Sequence, residues 1–139
     1  MPSTHMIEDL AWRFISAFAA ADPDLAESVI DDVHLEVSDF GEEAHVEHYD
    51  VEKFRDLVAS HAGDPLERRR GPCSVEFLGA NVAVCRQTLH AVAPSGRTFD
   101  WQVMLVFAHH GERWRATASL WGPIPPWAVE EIEAAMVER

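Results

Sequence analysis

Residues 67–121 are the part of the chain that most restricts its fold. Four long segments follow one another there, each closed by residues that favour tight turns. Glu67 to Leu78 is followed by Gly79-Ala80-Asn81. Val82 to Val92 is followed by Pro94-Ser95-Gly96, Thr98 to Ala108 by His109-His110-Gly111, and Arg113 to Trp121 completes the series. Gly, Pro and Asn are the residues hairpin turns need. The spacing predicts a meander of long antiparallel strands. In the third of them Phe99, Trp101, Val103, Leu105 and Phe107 share one face, while Asp100 and Gln102 share the other. Period-two alternation of this kind belongs to a sheet with one packed face, here under helices or in a dimer interface.

The front of the chain has a different period. Ile7, Leu10, Ala11, Phe14, Ile15 and Phe18 recur at helical spacing between Met6 and Ala21, with Thr4 as a plausible N-cap. Pro23 forces Asp22 out of the helical region, then suits the first turn of a second, short helix capped by Asp22. Val33 to Ser38 alternates as a half-buried strand, and Asp39-Phe40-Gly41 turns the chain. Glu42 to Asp50 reads as an acidic, histidine-bearing loop. Asp50 caps a third helix carrying Phe54, Leu57 and Val58, and Pro125-Pro126 opens a last helix with Trp127, Val129, Ile132 and Met136. Helices first and a meander afterwards indicate an α+β domain, a curved antiparallel sheet wrapped around helices and forming a cone-like pocket. At 139 residues one domain over 1–139 is expected.

Charge and composition narrow the function classes. A formal net charge of −13 repels phosphate backbones and argues against nucleic acid. Lys53 is the only lysine beside plentiful arginine, alanine, aspartate and valine, a composition suggesting a GC-rich bacterial genome. No apolar run approaches the roughly 20 residues of a membrane span, and Met1 to Ile7 does not begin a signal peptide, so a cytoplasmic protein is expected. Cys73 and Cys85 read as buried free thiols acting as small hydrophobes. Without paired cysteines, a phosphate loop or a Gly-x-Ser-x-Gly elbow, no metal and no cofactor is expected.

In element order nearly the whole chain resembles the SnoaL-like and ketosteroid-isomerase-like superfamily, with its nuclear-transport-factor-two-like fold. The resemblance is carried by Asp22 to Asp39 and on through Gly41 and Phe54-Arg55. It continues in Val103-Met104-Leu105-Val106-Phe107, Gly111-Glu112-Arg113-Trp114-Arg115 and Ser119-Leu120-Trp121. The superfamily includes isomerases, dehydratases, polyketide cyclases, epoxide hydrolases and non-catalytic binding domains, and fold alone does not choose among them. In ketosteroid isomerase an Asp abstracts a proton while a Tyr and a protonated Asp hold the oxyanion. By resemblance Asp39 falls at the base position, Phe14 at the tyrosine position and Val103 at the protonated-aspartate position, each of the two Asp positions within one residue. The base is kept and both oxyanion donors are absent, which argues against steroid isomerisation itself.

The residues that carry chemistry on this reading are few. Asp39 is the first candidate for acid/base work, against the plainer reading of a turn-forming aspartate. His90 shares a face with Thr88 and Arg86; if that face is concave, His90 shuttles a proton there and Arg86 lines the pocket. Asp100 is a second acid/base candidate, with Gln102 beside it. Tyr49 offers a hydroxyl in place of the one absent at Phe14. Trp12, Ser119 and Trp121, with Thr117 on the same expected face, are wall candidates. His45-Val46-Glu47-His48 has metal-like spacing but reads as a solvated loop, and Arg68-Arg69-Arg70 as a solvated strand start that could instead face an anion. The expected activity is cofactor-independent proton transfer on a hydrophobic oxygenated small molecule, such as a polyketide-type metabolite, by isomerisation, dehydration or cyclisation. The alternative is a binding or interaction module without catalysis. Either way a homodimer is expected.

Overall fold

Alternation places a strand's apolar residues on one side of a sheet, and that side has to be covered. In the structure, a computed structural model that describes residues 3–31, 35–40 and 44–137, helices cover it. The order is α1 (Thr4–Ala20), α2 (Pro23–Glu27), β1 (Leu35–Phe40), β2 (Ala44–Tyr49), α3 (Val51–Ala59), β3 (Glu67–Phe77), β4 (Val82–Val92), β5 (Thr98–His110), β6 (Arg113–Trp121) and α4 (Pro126–Val137). The six strands form one curved, unclosed sheet in the order β2-β1-β6-β5-β4-β3. Every pairing is antiparallel except β1 with β6, which is parallel.

Local chemistry sets the element ends. Ser3, not Thr4, caps α1, its side chain accepting from Met6 N. Asp22 is extended, as the proline after it requires, and its carboxylate accepts from Asp24 N and Leu25 N at the start of α2. Asp50 caps α3 by accepting from Lys53 N. The helical stripe of α1 buries Ile7, Ala11, Phe14, Ile15 and Phe18 against the inward face of the sheet, where Ala83, Cys85, Leu89, Trp101, Val103, Leu105 and Phe107 meet it. The apolar face of β5 is therefore core and does not serve as a dimer interface.

Three further sequence expectations differ from the structure. The acidic stretch before Asp50 is largely strand: β2 pairs with β1 from Leu35↔Tyr49 to Phe40↔Ala44, so Asp39 and Phe40 extend β1 and do not turn the chain. The start of the expected strand at Val33 and the residues Gly41 to Glu43 lie outside the described residues. His109 and His110 belong to β5, and the His109 ring stacks on Trp114 at 5.1 Å. Finally, the register of β5 on β6 shifts between Val106 and Phe107. The shift takes Thr117 out of phase: Trp114, Ala116, Ser119 and Trp121 are buried, and the Thr117 hydroxyl donates to Val106 O.

A second irregularity lies between Arg70 and Cys73 in β3. A Cβ on Gly71 would come within 2.7 Å of Thr88 O and 2.9 Å of His90 Nε2, so only glycine fits there. The buried Gln87 amide donates to Gly71 O at 2.9 Å. Cys73 and Cys85 are free thiols 3.0 Å apart on neighbouring strands. Burial is the main cause that raises both thiol pKa values, which favours the protonated form; Cys85 is buried and Cys73 only half-buried.

Candidate functional site

The inward face that packs under α1 near β3 and β4 opens, towards β1 and β2, into a cavity of about 400 Å³. Val37 and Asp39 of β1 and His45, Glu47 and Tyr49 of β2 form one wall. Leu57, His61 and Asp64 follow from α3 and the segment after it. Leu66 and Arg68 lead into β3, Trp101 and Trp121 come from β5 and β6, and α4 with its approach contributes Ile124, Val129, Ile132 and Glu133. Phe18 closes the inner end of α1 against Trp121, ring centroids 5.4 Å apart.

The aromatic wall is fixed by its own polar atoms. Trp101 Nε1–H donates to Gly122 O at 2.7 Å, and Trp121 Nε1–H to Ser119 Oγ at 3.1 Å. With both indole N–H groups satisfied, the two rings, 5.0 Å apart, present apolar faces.

Strand alternation brings His45, Glu47 and Tyr49 to the cavity and turns His48 away. Glu47 accepts from Lys53 Nζ, from the Tyr49 hydroxyl at 3.0 Å and from His45 at 3.4 Å. Lys53 is the main cause, followed by His45 and Tyr49, of a Glu47 pKa lowered to about 2. Tyr49 responds in the opposite sense: burial first, then its bond to Glu47, push its phenol up to about 12. Stability linked to Glu47 is thus present above about 4.5 and lost as pH falls towards 2. Stability linked to Tyr49 is present below about 10 and lost as pH rises towards 12. Tyr49 is the only tyrosine, so an ultraviolet titration of tyrosinate reads it alone. A midpoint near 12 is expected, falling only part of the way back in Glu47→Gln because burial, the larger cause, remains; a midpoint near 10 in the unaltered protein contradicts this placement of Tyr49.

Two further groups face the cavity. Arg68 and Asp64 form an ion pair at 2.9 Å with side chains only 3% and 14% exposed. His61 packs edge-on against Phe18 and its Nδ1 lies 3.0 Å from Leu57 O. A carbonyl only accepts, so Nδ1 carries the proton and Nε2 is left for a ligand. Asp39 is exposed at the rim, and no hydrogen bond or ion pair engages its carboxylate among the described residues.

Of the residues singled out from sequence, Asp39, Tyr49 and Trp121 line this cavity. His90 and Asp100 do not: they pair at 2.8 Å on the outer face of the sheet, 49% and 67% exposed. Thr88 and Gln102 bond beside them, and Arg86 is exposed on the same face. Apart from the buried Gln87, the polar residues of β4 and β5 face outward because the inward face packs under the helices, and the cavity lies on that inward side. Trp12 is on the far side of α1, under the Arg70 guanidinium. Phe14 and Val103 are buried in the core, and Ser119 is a buried partner for Trp121. Sequence reading missed His61, Asp64, Trp101 and Glu133, and it favoured a solvated place both for Arg68, over one facing an anion, and for the His45–His48 stretch, whose His45 and Glu47 line the cavity. Arg68, alone of its run of three, reaches the cavity. Among the described residues no group of three or more His, Cys, Asp or Glu is placed to hold a metal ion.

Solved structures share this architecture. An NTF2-like protein of unknown function from Pseudomonas putida KT2440 superposes with a TM-score of 0.68 at 12% identity, over 85% of this chain and 84% of that one. An NTF2-like protein with a cystatin-like fold from Novosphingobium aromaticivorans gives 0.65 at 17% identity, over 94% and 86%. The fold is NTF2-like. The association domain of C. elegans CaMKII superposes as well, with a TM-score of 0.64 at 14% identity over 84% of this chain and 92% of that one. At these identities the likeness is one of fold. No family model matches the chain, and no curated protein does. No described helix is long and apolar enough to cross a membrane.

Proposed function

We propose that this protein binds a hydrophobic, oxygenated small molecule between its sheet and α4 and transfers a proton on it, without a cofactor. The reading rests on one observation: acid/base groups face a cavity otherwise walled by Phe18, Trp101, Trp121, Ile124 and Ile132. Asp39 carries the base role, its carboxylate at the rim and unpaired among the described residues, and His61 Nε2 is the second proton-handling atom. Tyr49 is held to Glu47 and so acts as wall, not as oxyanion donor. Isomerisation, dehydration and cyclisation each begin with such a transfer at a carbon or oxygen beside a carbonyl.

The test is a screen of cyclic ketones and β-hydroxy carbonyl compounds, followed by Asp39→Asn. On any substrate found, kcat should fall by about 100-fold or more while ligand affinity changes little. Full activity in Asp39→Asn removes the assignment. Ligands that bind and never turn over support the second reading, a binding module. That reading is favoured by the apolar residues at Phe14 and Val103, where the resemblance puts the oxyanion donors.

The chain is further proposed to form a homodimer through the outer face of β4, β5 and β6. Val84, Met104, Val106 and Leu120 are half-buried there between polar neighbours. The neighbour named as an association domain supports the same direction. Sedimentation should give twice the chain mass; a monomer at high concentration rejects it.

A further inference from the structure

A bulge in β3 brings two thiols together. β3 lies at the edge of the sheet and pairs with β4, first as Arg70↔Leu89 and then as Cys73↔Gln87. Three steps along β3 thus match two along β4, one residue more than a regular ladder takes. In a regular ladder Cys73 would stand opposite Arg86 and share its outer face. The extra residue turns Cys73 inward, opposite the buried Gln87 and diagonally across from the buried Cys85. Three features hold the bulge: Gly71 has no room for a Cβ, Pro72 has no N–H to donate, and the Gln87 amide donates to Gly71 O. The result is a Sγ–Sγ distance of 3.0 Å, about 1 Å more than a disulfide bond. Cys73 is half-buried and Cys85 fully buried, so a reagent from solvent meets Cys73 first.

We propose that Cys73 and Cys85 are a redox pair that a small-molecule disulfide oxidises to an internal disulfide, clipping the edge strand β3 to β4. The Cys73 thiolate attacks one sulfur of the small disulfide and expels one thiolate, which leaves a mixed disulfide at Cys73. The Cys85 thiolate then attacks Cys73 Sγ and expels the second. Two protein thiols are oxidised, one small disulfide is reduced to two thiols, and the protons of the protein thiols pass to the thiolates that leave. Burial, which raises both thiol pKa values, makes the exchange slow, a matter of hours. The bond closes the hairpin from 73 to 85 and so restricts the unfolded chain. It also fastens the strand that carries Arg68 of the cavity wall near its start.

The test uses the full chain, reduced, freed of reductant and incubated for hours with oxidised glutathione. It is then unfolded, its thiols are titrated and its intact mass is measured. Both thiols should be lost together, from a single chain lighter by two hydrogens and carrying no glutathione, and reductant should restore both. The oxidised form should melt higher, by on the order of 5 °C. Single variants separate the two steps. In Cys85→Ser the reaction should stop at the mixed disulfide, with one glutathione on Cys73. In Cys73→Ser the buried Cys85 should stay unmodified while the chain is folded. If neither variant folds, the thiol titration and mass of the unaltered protein decide. Two thiols that persist, a glutathione that stays on the unaltered protein, or a disulfide between two chains each overturns the proposal. An oxidised form that melts no higher than the reduced one overturns the clip.

Discussion

Asp64→Ala is expected to destabilise the fold by about 3–5 kcal/mol, a large part of the roughly 5–15 kcal/mol that holds a domain of this size. The carboxylate has two tasks. Oδ2 meets Arg68 Nη2 at 2.9 Å, and Oδ1 accepts from Leu66 N at 2.9 Å, which fixes the entry of the chain into β3. Removing it leaves a guanidinium that is only 3% exposed without its counter-charge and a backbone N–H without its acceptor. The pair is not a net gain for the fold by the same reasoning, because both ions were taken out of water. Asp64→Leu with Arg68→Met should therefore cost much less than Asp64→Ala alone. Chemical denaturation of the three proteins measures this. A loss below about 1 kcal/mol in Asp64→Ala means that the pair behaves as a surface ion pair and that this part of the cavity is wet.

Phe14→Ala should cost about 3–5 kcal/mol for a different reason, the cavity left in a core that cannot close over it. The Phe14 ring is fully buried and stacks on Phe54 at 5.6 Å and on Trp121 at 6.4 Å, with Phe18 tilted against it at 5.6 Å. Three of its neighbours are aromatic and belong to two helices and a strand, so no single side chain can rotate in to fill the space. Trp121 is also part of the cavity wall, which links this core position to the site. Thermal melts of the variant give the stability, and ligand titration gives the second effect, a weaker affinity for apolar probes as Trp121 loses its backing. A cost under about 1 kcal/mol would show that the ring is not held between these neighbours.

The meander was readable because each of its strands has a packed side and a solvated side. The boundaries of β4 follow directly from Val82 to Val92, and the apolar face of β5 from Phe99 to Phe107. β2 was not readable for the converse reason. Its cavity-facing residues are His45, Glu47 and Tyr49, so the face that would normally signal a strand by apolar residues is polar. The same physics explains the misplaced site. Polar strand residues such as His90 and Asp100 reach a pocket only if their face is concave, whereas the sheet turns that side out and makes its cavity on the apolar side. Functional groups then have to come from where the apolar face ends: β1 at Asp39, the segment from His61 to Arg68, and α4. Neither His61 nor Asp64 stands in a motif; each reaches the cavity through the packing of α3, which no local pattern records. The bulge at Thr117 is equally silent in sequence, because a one-residue register shift depends on how two strands meet.

The central claim, that ligand enters the cavity beside α4 and not the outer face of the sheet, can be read from the five tryptophans. Their indole N–H signals should be followed as 2-acetylnaphthalene is added. The account predicts that Trp101 and Trp121 shift in step with saturation while Trp12 and Trp114, outside the cavity, stay in place. Shifts at Trp12 or Trp114 with Trp101 and Trp121 unmoved would contradict it.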